Sequence, residues 1–135
     1  MKSTLETVEV ESAAYKEGGL PPKGTPKNYL MAWMLVMLKE HDLHGYEIIK
    51  ELKIKFDVIA DSGTVYRALR QLEREGYISS WWDPKDQGAA RRIYTLTGEG
   101  HQALVLWRSA LEQYRTNLDA FFHLYSGSWQ VAAGE

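Results

Sequence analysis

Apolar residues run almost unbroken for ten positions, from Tyr29 to Leu38. A bilayer span needs about 20, so this run predicts a buried helix, opened by Asn28 as a polar cap. It is apolar on nearly every side, which implies burial of more than one face. In so small a module the second face points to a partner chain. Glu40–Gly45 interrupts the run. A second helix follows, with Ile48, Ile49, Leu52 and Phe56 inward and Glu47, Lys50, Glu51 and Lys53 outward. Asp61 or Ser62 can cap a third helix running to about Glu75, with Gly76 at the left-handed position after it. Its inward residues are Val65, Ala68, Leu69 and Leu72.

The period then changes to that of strands. Tyr77–Trp82 and Arg91–Leu96 flank a stretch rich in turn formers, Asp83–Ala90, and predict a hairpin with a polar tip. Thr97 caps a last helix over 98–125. Along it Leu104, Trp107, Leu111, Tyr114, Leu118, Phe121 and Tyr125 are spaced alternately by three and four, a heptad seam. A helix of this length reaches roughly 40 Å at 1.5 Å per residue, more than such a module can cover alone. The seam therefore predicts a homodimer, with Trp33 of the first helix completing the interface. Packing on its own domain alone is the other possibility.

Three short helices before a hairpin give the order of a winged helix-turn-helix. The fold class expected is mainly α with a small β-hairpin and a long C-terminal dimerisation helix. The alternative is a helical bundle with an incidental hairpin. The organisation read from the chain is an arm and linker over 1–27, the winged helix-turn-helix module over 28–97, the dimer helix over 98–125 and a tail over 126–135. Gly18–Pro26 breaks any regular element in the arm.

Composition narrows the function. The 135 residues are 44% hydrophobic and 25% charged, globular averages that fit one domain. There is no cysteine, which excludes disulfides and thiolate chemistry and fits a reducing compartment. No secretory signal stands in residues 1–27, and a cytoplasmic location is expected. The net charge of −2 does not advertise nucleic-acid binding, so the case rests on local arrangement. At the start of the third helix Ser62, Gly63 and Thr64 offer backbone amides and a helix dipole to an anion, and Gly63 has no side chain to hold a phosphate away. Thr64, Tyr66, Arg67 and Arg70 then project along one face, where arginine can pair with guanine edges and tyrosine can hold a phosphate. The plain alternative is that Arg67, Arg70 and Arg74 solvate a surface helix with Glu73 and Glu75 as partners. Lys85 lies near the hairpin tip and Arg91 and Arg92 at its returning base; strand alternation sends one of that pair away from the DNA.

Catalysis finds no support: no glycine-rich phosphate loop, no nucleophile elbow and no paired carboxylates. His41 and His44 lack a third ligand cluster, so no metal and no cofactor is expected. Trp33 and Trp107, buried near the dimer seam, can line a crevice for a flat or apolar effector, although core packing is the commoner fate of such residues. Trp129 falls in the tail.

Three separated motifs carry a resemblance. Leu43-His44-Gly45-Tyr46-Glu47-Ile48-Ile49, then Gly63–Leu69 with Leu72–Ile78, then Arg91–Gly100, occur in the order found in the PadR family of bacterial repressors. The similarity covers about residues 28–125 and implies a winged-helix dimer, joined through its C-terminal helix, that represses genes and often answers to a small molecule. It places Thr64, Tyr66, Arg67 and Arg70 on the recognition helix and Lys85, Arg91 and Arg92 on the wing. Leu20–Leu30, Trp82-Asp83 and Phe121–Tyr125 look closest to the polyhydroxybutyrate-responsive repressors of that family. The chain ends soon after one helix, as in the family's shorter subgroup. The partners expected are thus double-stranded DNA with a palindromic operator, a second copy of the chain, and an apolar or polymer effector. A second class of function is an apolar-surface binder attached to storage polymer granules or to another protein.

Overall fold

The computed structural model describes residues 26, 28–56, 60–85, 91–127 and 130–132. Apart from Pro26, the arm falls outside them, as do the wing tip at 86–90 and Trp129. The element order is α1 (Tyr29–Glu40), β1 (Leu43–His44), α2 (Gly45–Lys55), α3 (Ser62–Arg74), β2 (Ile78–Trp82), β3 (Arg92–Leu96) and α4 (Gly98–Tyr125). This is a winged helix-turn-helix followed by a long helix.

α1 is the centre of the module. Ala32, Met34, Leu35, Met37 and Leu38 are buried, and the helix touches α2, α3, α4 and β3. Much of its apolarity is therefore met by its own chain, while Trp33 stays half-buried and Val36 39% exposed. Its opening differs from the one expected. Asn28 has φ 61° and no side-chain cap; asparagine tolerates this left-handed geometry, and its carbonyl accepts the Met31 N–H instead.

α2 contributes Ile48 and Leu52 to the core, and α3 contributes Val65, Ala68, Leu69 and Leu72. Each fully buried aliphatic side chain contributes about 1.5–3 kcal/mol relative to exposure. Phe56 departs from its expected place: it caps α2 at 41% exposure and rests 4.9 Å from the Trp33 ring.

The sheet has three antiparallel strands in the order β1-β3-β2, one more than the hairpin expected. Leu43 and His44 form the extra strand, pairing with Tyr94 and Ile93. Within the hairpin Ile78 faces Leu96 and Trp82 faces Arg92. Gly76 takes φ 82° after α3, which only glycine adopts freely, and turns the chain into β2. Thr97 caps α4 by accepting the Gly100 N–H at 3.0 Å, while its hydroxyl donates to the Gly76 carbonyl at 2.6 Å.

Candidate nucleic-acid interface

α3 lies with one face in the core and the other in solvent. Asp61 is its N-cap: Oδ1 accepts the Thr64 N–H at 2.8 Å and Oδ2 the Thr64 hydroxyl at 3.0 Å. Those two donors hold the Asp61 carboxyl below its ordinary value. The anion position at this helix start is therefore engaged by the chain's own carboxylate, and the expected free cradle at Ser62, Gly63 and Thr64 is filled on the Thr64 side. Ser62 and Gly63 stay exposed. Arg67 reaches back, its Nη2 donating to Thr64 Oγ1 at 3.1 Å. Tyr66 is 37% exposed and its ring stands directly over Gly45: a β-carbon built there would lie 2.7 Å from Cε1. Gly45 thus lets α2 come up under α3.

The carboxylates that could have neutralised the arginines are engaged elsewhere. Glu73 accepts the Ser80 hydroxyl at 2.7 Å and Glu75 accepts the Gln71 amide at 3.0 Å. Among the described residues Arg70 and Arg74 are exposed and have no carboxylate partner.

The wing arginines part company, as alternation requires. Arg91 lies with its guanidinium 4.5 Å over the Tyr46 ring of α2. Arg92 lies 4.4 Å over the Trp82 ring and donates to Ser80 Oγ at 3.0 Å. Through Ser80 it reaches Glu73, so a side-chain chain joins the wing to α3. Lys85 is exposed, and its backbone N–H donates to Asp83 Oδ1 at 3.0 Å.

One contributor was missed. His44, considered in the sequence as a metal ligand and as part of the Leu43–Ile49 motif, caps α2, with Glu47 Oε1 accepting its backbone N–H at 2.8 Å. Its ring also meets Asp83 at the root of the wing, 2.9 Å away. The two residues stand 39 apart in sequence, and only the pairing of β1 with β3 brings them together, so no local signal reveals them.

The α4 seam divides in two. Leu104, Trp107, Leu111 and Tyr114 are partly buried, the first three along a cavity of about 620 Å³ between α1 and α4 that Tyr29, Trp33 and Val36 line from the other side. Trp33 and Trp107 are half-buried here rather than enclosed. Leu118, Phe121 and Tyr125 are 37%, 56% and 84% exposed. Among the described residues no cluster of three or more metal-ligating side chains occurs, and no helix is long and apolar enough to cross a membrane.

This arrangement of helices and wing can be compared with known proteins. The profile of the transcriptional regulator PadR-like family matches residues 34–105, from α1 to the first turns of α4. The chain belongs to the PadR-like family. Members are transcriptional regulators and not enzymes. Among solved structures, a transcriptional regulator from Clostridium thermocellum is similar at 30% identity and a TM-score of 0.64, over 70% of this PadR-like chain and 91% of that one. A PadR family transcription regulator from Clostridium difficile R20291 is similar at 26% identity and a TM-score of 0.63, over 70% and 99%. Bacillus subtilis PadR, solved in complex with operator DNA, is similar at 28% identity and a TM-score of 0.56, over 62% of this chain and 48% of that one. A search of curated proteins finds no match.

Proposed function

We propose that this PadR-like chain is a homodimeric, sequence-specific repressor that acts in the cytoplasm and sets α3 of each copy into the major groove of a palindromic operator. The observation that carries the reading is the two-sided α3: Val65, Ala68, Leu69 and Leu72 are locked in the core, while Arg70, free of carboxylates among the described residues, stands with Arg67 on the open side. Thr64 and Tyr66 contact phosphates or base edges beside them, Ser62 and Gly63 approach the backbone, and Lys85 with one wing arginine contacts the flanking phosphates. The operator complex of Bacillus subtilis PadR supports the same use of DNA here.

On this reading residues 28–97 bind DNA and 98–125 dimerise, with an arm at 1–27 and a tail at 126–135. The exposed lower seam, Leu118, Phe121 and Tyr125, is the contact between copies, continued by Leu104, Trp107, Leu111, Tyr114 and Trp33. An apolar or aromatic effector entering the cavity beside Trp33 and Trp107, or polyhydroxybutyrate bound to the dimer, releases the operator by favouring another spacing of the two copies. Polyhydroxybutyrate itself is supported only by the short segments of sequence likeness.

Footprinting of the purified protein on genomic DNA tests the central claim. Protected half-sites should lie about 34 Å apart, one helical turn, with affinity falling steeply as salt rises. Protection without two-fold sites overturns it. The outward aromatics at the end of α4, Phe121, Phe122 and Tyr125, favour a second reading in which the protein attaches to polymer granules or another protein. Co-sedimentation with granules, unaccompanied by operator retention, would select that one.

A further inference from the structure

His44 stands where three elements meet: it ends β1, caps α2, and its ring touches the residue that follows β2. Each ring nitrogen faces a different carboxylate, Nδ1 at 2.7 Å from Glu47 Oε1 and Nε2 at 2.9 Å from Asp83 Oδ2. An ionised carboxylate only accepts. A neutral imidazole has one N–H and would set a lone pair against the second carboxylate; only the imidazolium donates to both. The His44 and Asp83 side chains are 18% and 15% exposed, so water screens the contact incompletely.

The two partners play unequal parts. Glu47 also holds the backbone N–H of His44, so it stays with α2 whatever the ring does. Asp83 belongs to the wing: its N–H donates to the Arg91 carbonyl at 2.9 Å, closing the hairpin beyond Trp82 and Arg92. The ring of His44 is thus a side-chain tie from the helices to the wing root. We propose that His44 is the positioning residue of the wing, and that its protonation couples wing placement, and with it operator affinity, to pH. The second half rests on the DNA-binding reading above.

The surrounding charges fit this role. α2 supplies Glu47, with Lys50 near it and the Tyr46 ring 5.2 Å from that of His44. The end of β2 supplies Asp83 and Lys85, the approach to β3 supplies Arg91 over Tyr46, and β3 itself sets apolar Ile93 opposite. The bond to Glu47 raises the imidazole above its ordinary 6.5, burial opposes it, and Asp83 adds to the rise. Burial works to raise Glu47, but the His44 N–H and ring outweigh it; at Asp83 the Lys85 N–H acts first and the His44 ring second, and both carboxyls end below their ordinary values. The tie is therefore whole near and below pH 6.5 and is lost as pH climbs through the raised value. It fails again only in acid strong enough to protonate the carboxylates.

The test has two arms, run on the full chain. In the free protein, NMR follows the His44 ring together with the amides of Asp83, Lys85 and Arg91. The expected result is one shared midpoint above 6.5, with the midpoint falling and the amides no longer titrating in Asp83→Asn, which leaves the α2 cap intact. A ring that titrates at or below its ordinary value, or wing amides indifferent to it, overturns the proposal. In the second arm, anisotropy on a labelled duplex carrying the footprinted site should show affinity falling roughly tenfold between about pH 6 and about pH 8, the range where histidine changes charge. His44→Gln should flatten that dependence; a role in folding alone would lower affinity equally at every pH. Affinity that does not vary with pH in the wild type ends the coupling. Wing amides that follow His44 in a protein that retains no DNA uphold the positioning role and sink the DNA-binding reading instead.

Discussion

Helices α3 and α4 both carry an apolar stripe along one side. In α3 the stripe is consumed within the chain: Val65, Ala68, Leu69 and Leu72 are all buried, and what remains outward is charge. In α4 only Gly100 is buried, and past Tyr114 the stripe emerges as exposed Leu118, Phe121 and Tyr125. A periodic pattern specifies a helix and which of its sides is sticky, but not whose surface covers that side. α3 is anchored by itself and free to bind with its polar side; α4 still has an apolar side to bury.

Substitutions along the two stripes should separate these uses. The largest effect belongs to Leu69→Ala, which empties a fully buried site; denaturant unfolding should show a loss of about 2–5 kcal/mol. A loss well under that would mean that α3 is not anchored as described. Next comes the outward side of α3. Arg67→Ala with Arg70→Ala should weaken operator binding about a hundredfold, at roughly 1–3 kcal/mol for each arginine that reads a base, with unfolding and dimerisation unchanged. Phe121→Ala should weaken the dimer by about 2 kcal/mol, roughly thirtyfold, as central aromatics at interfaces do. Sedimentation at graded concentration reads it, and a wild-type chain that stays single throughout removes the dimer. Smallest is Thr97→Ala, which takes away the α4 cap; thermal unfolding should register about 1 kcal/mol.

Much of the fold was legible because its signals are local. Asp61 and Gly76 bracket α3, Thr97 opens α4, and the change from helical to alternating period marks β2 and β3. Strand β1 was not legible, since Leu43 and His44 are too few to show a period and pair only because β3 offers an edge. The opening of α1 misled for another reason: asparagine serves both as a side-chain cap and as a left-handed residue, and Asn28 takes the second part. That four elements of its own chain take up much of the apolar surplus of α1 could not be read from the sequence either. In the candidate site the residue types on α3 were readable, but the state of its N-terminus was not. Asp61 was read as a cap without the corollary that its carboxylate would stand where a phosphate was expected. The destinations of Arg91 and Arg92 depend on rings from α2 and β2, which spacing along one strand cannot give.

The hydroxyl of Thr97 holds both Gly76, behind α3, and Gly100, in the first turn of α4. That single atom makes a stiff elbow between the element proposed to read DNA and the element proposed to join the copies. In a dimer of the proposed kind each long helix would work as a tiller: a small tilt at the joint would be carried through the elbow and shift the reading heads along the duplex. A ligand wedged against Trp107 would need no path to the DNA other than this mechanical gearing.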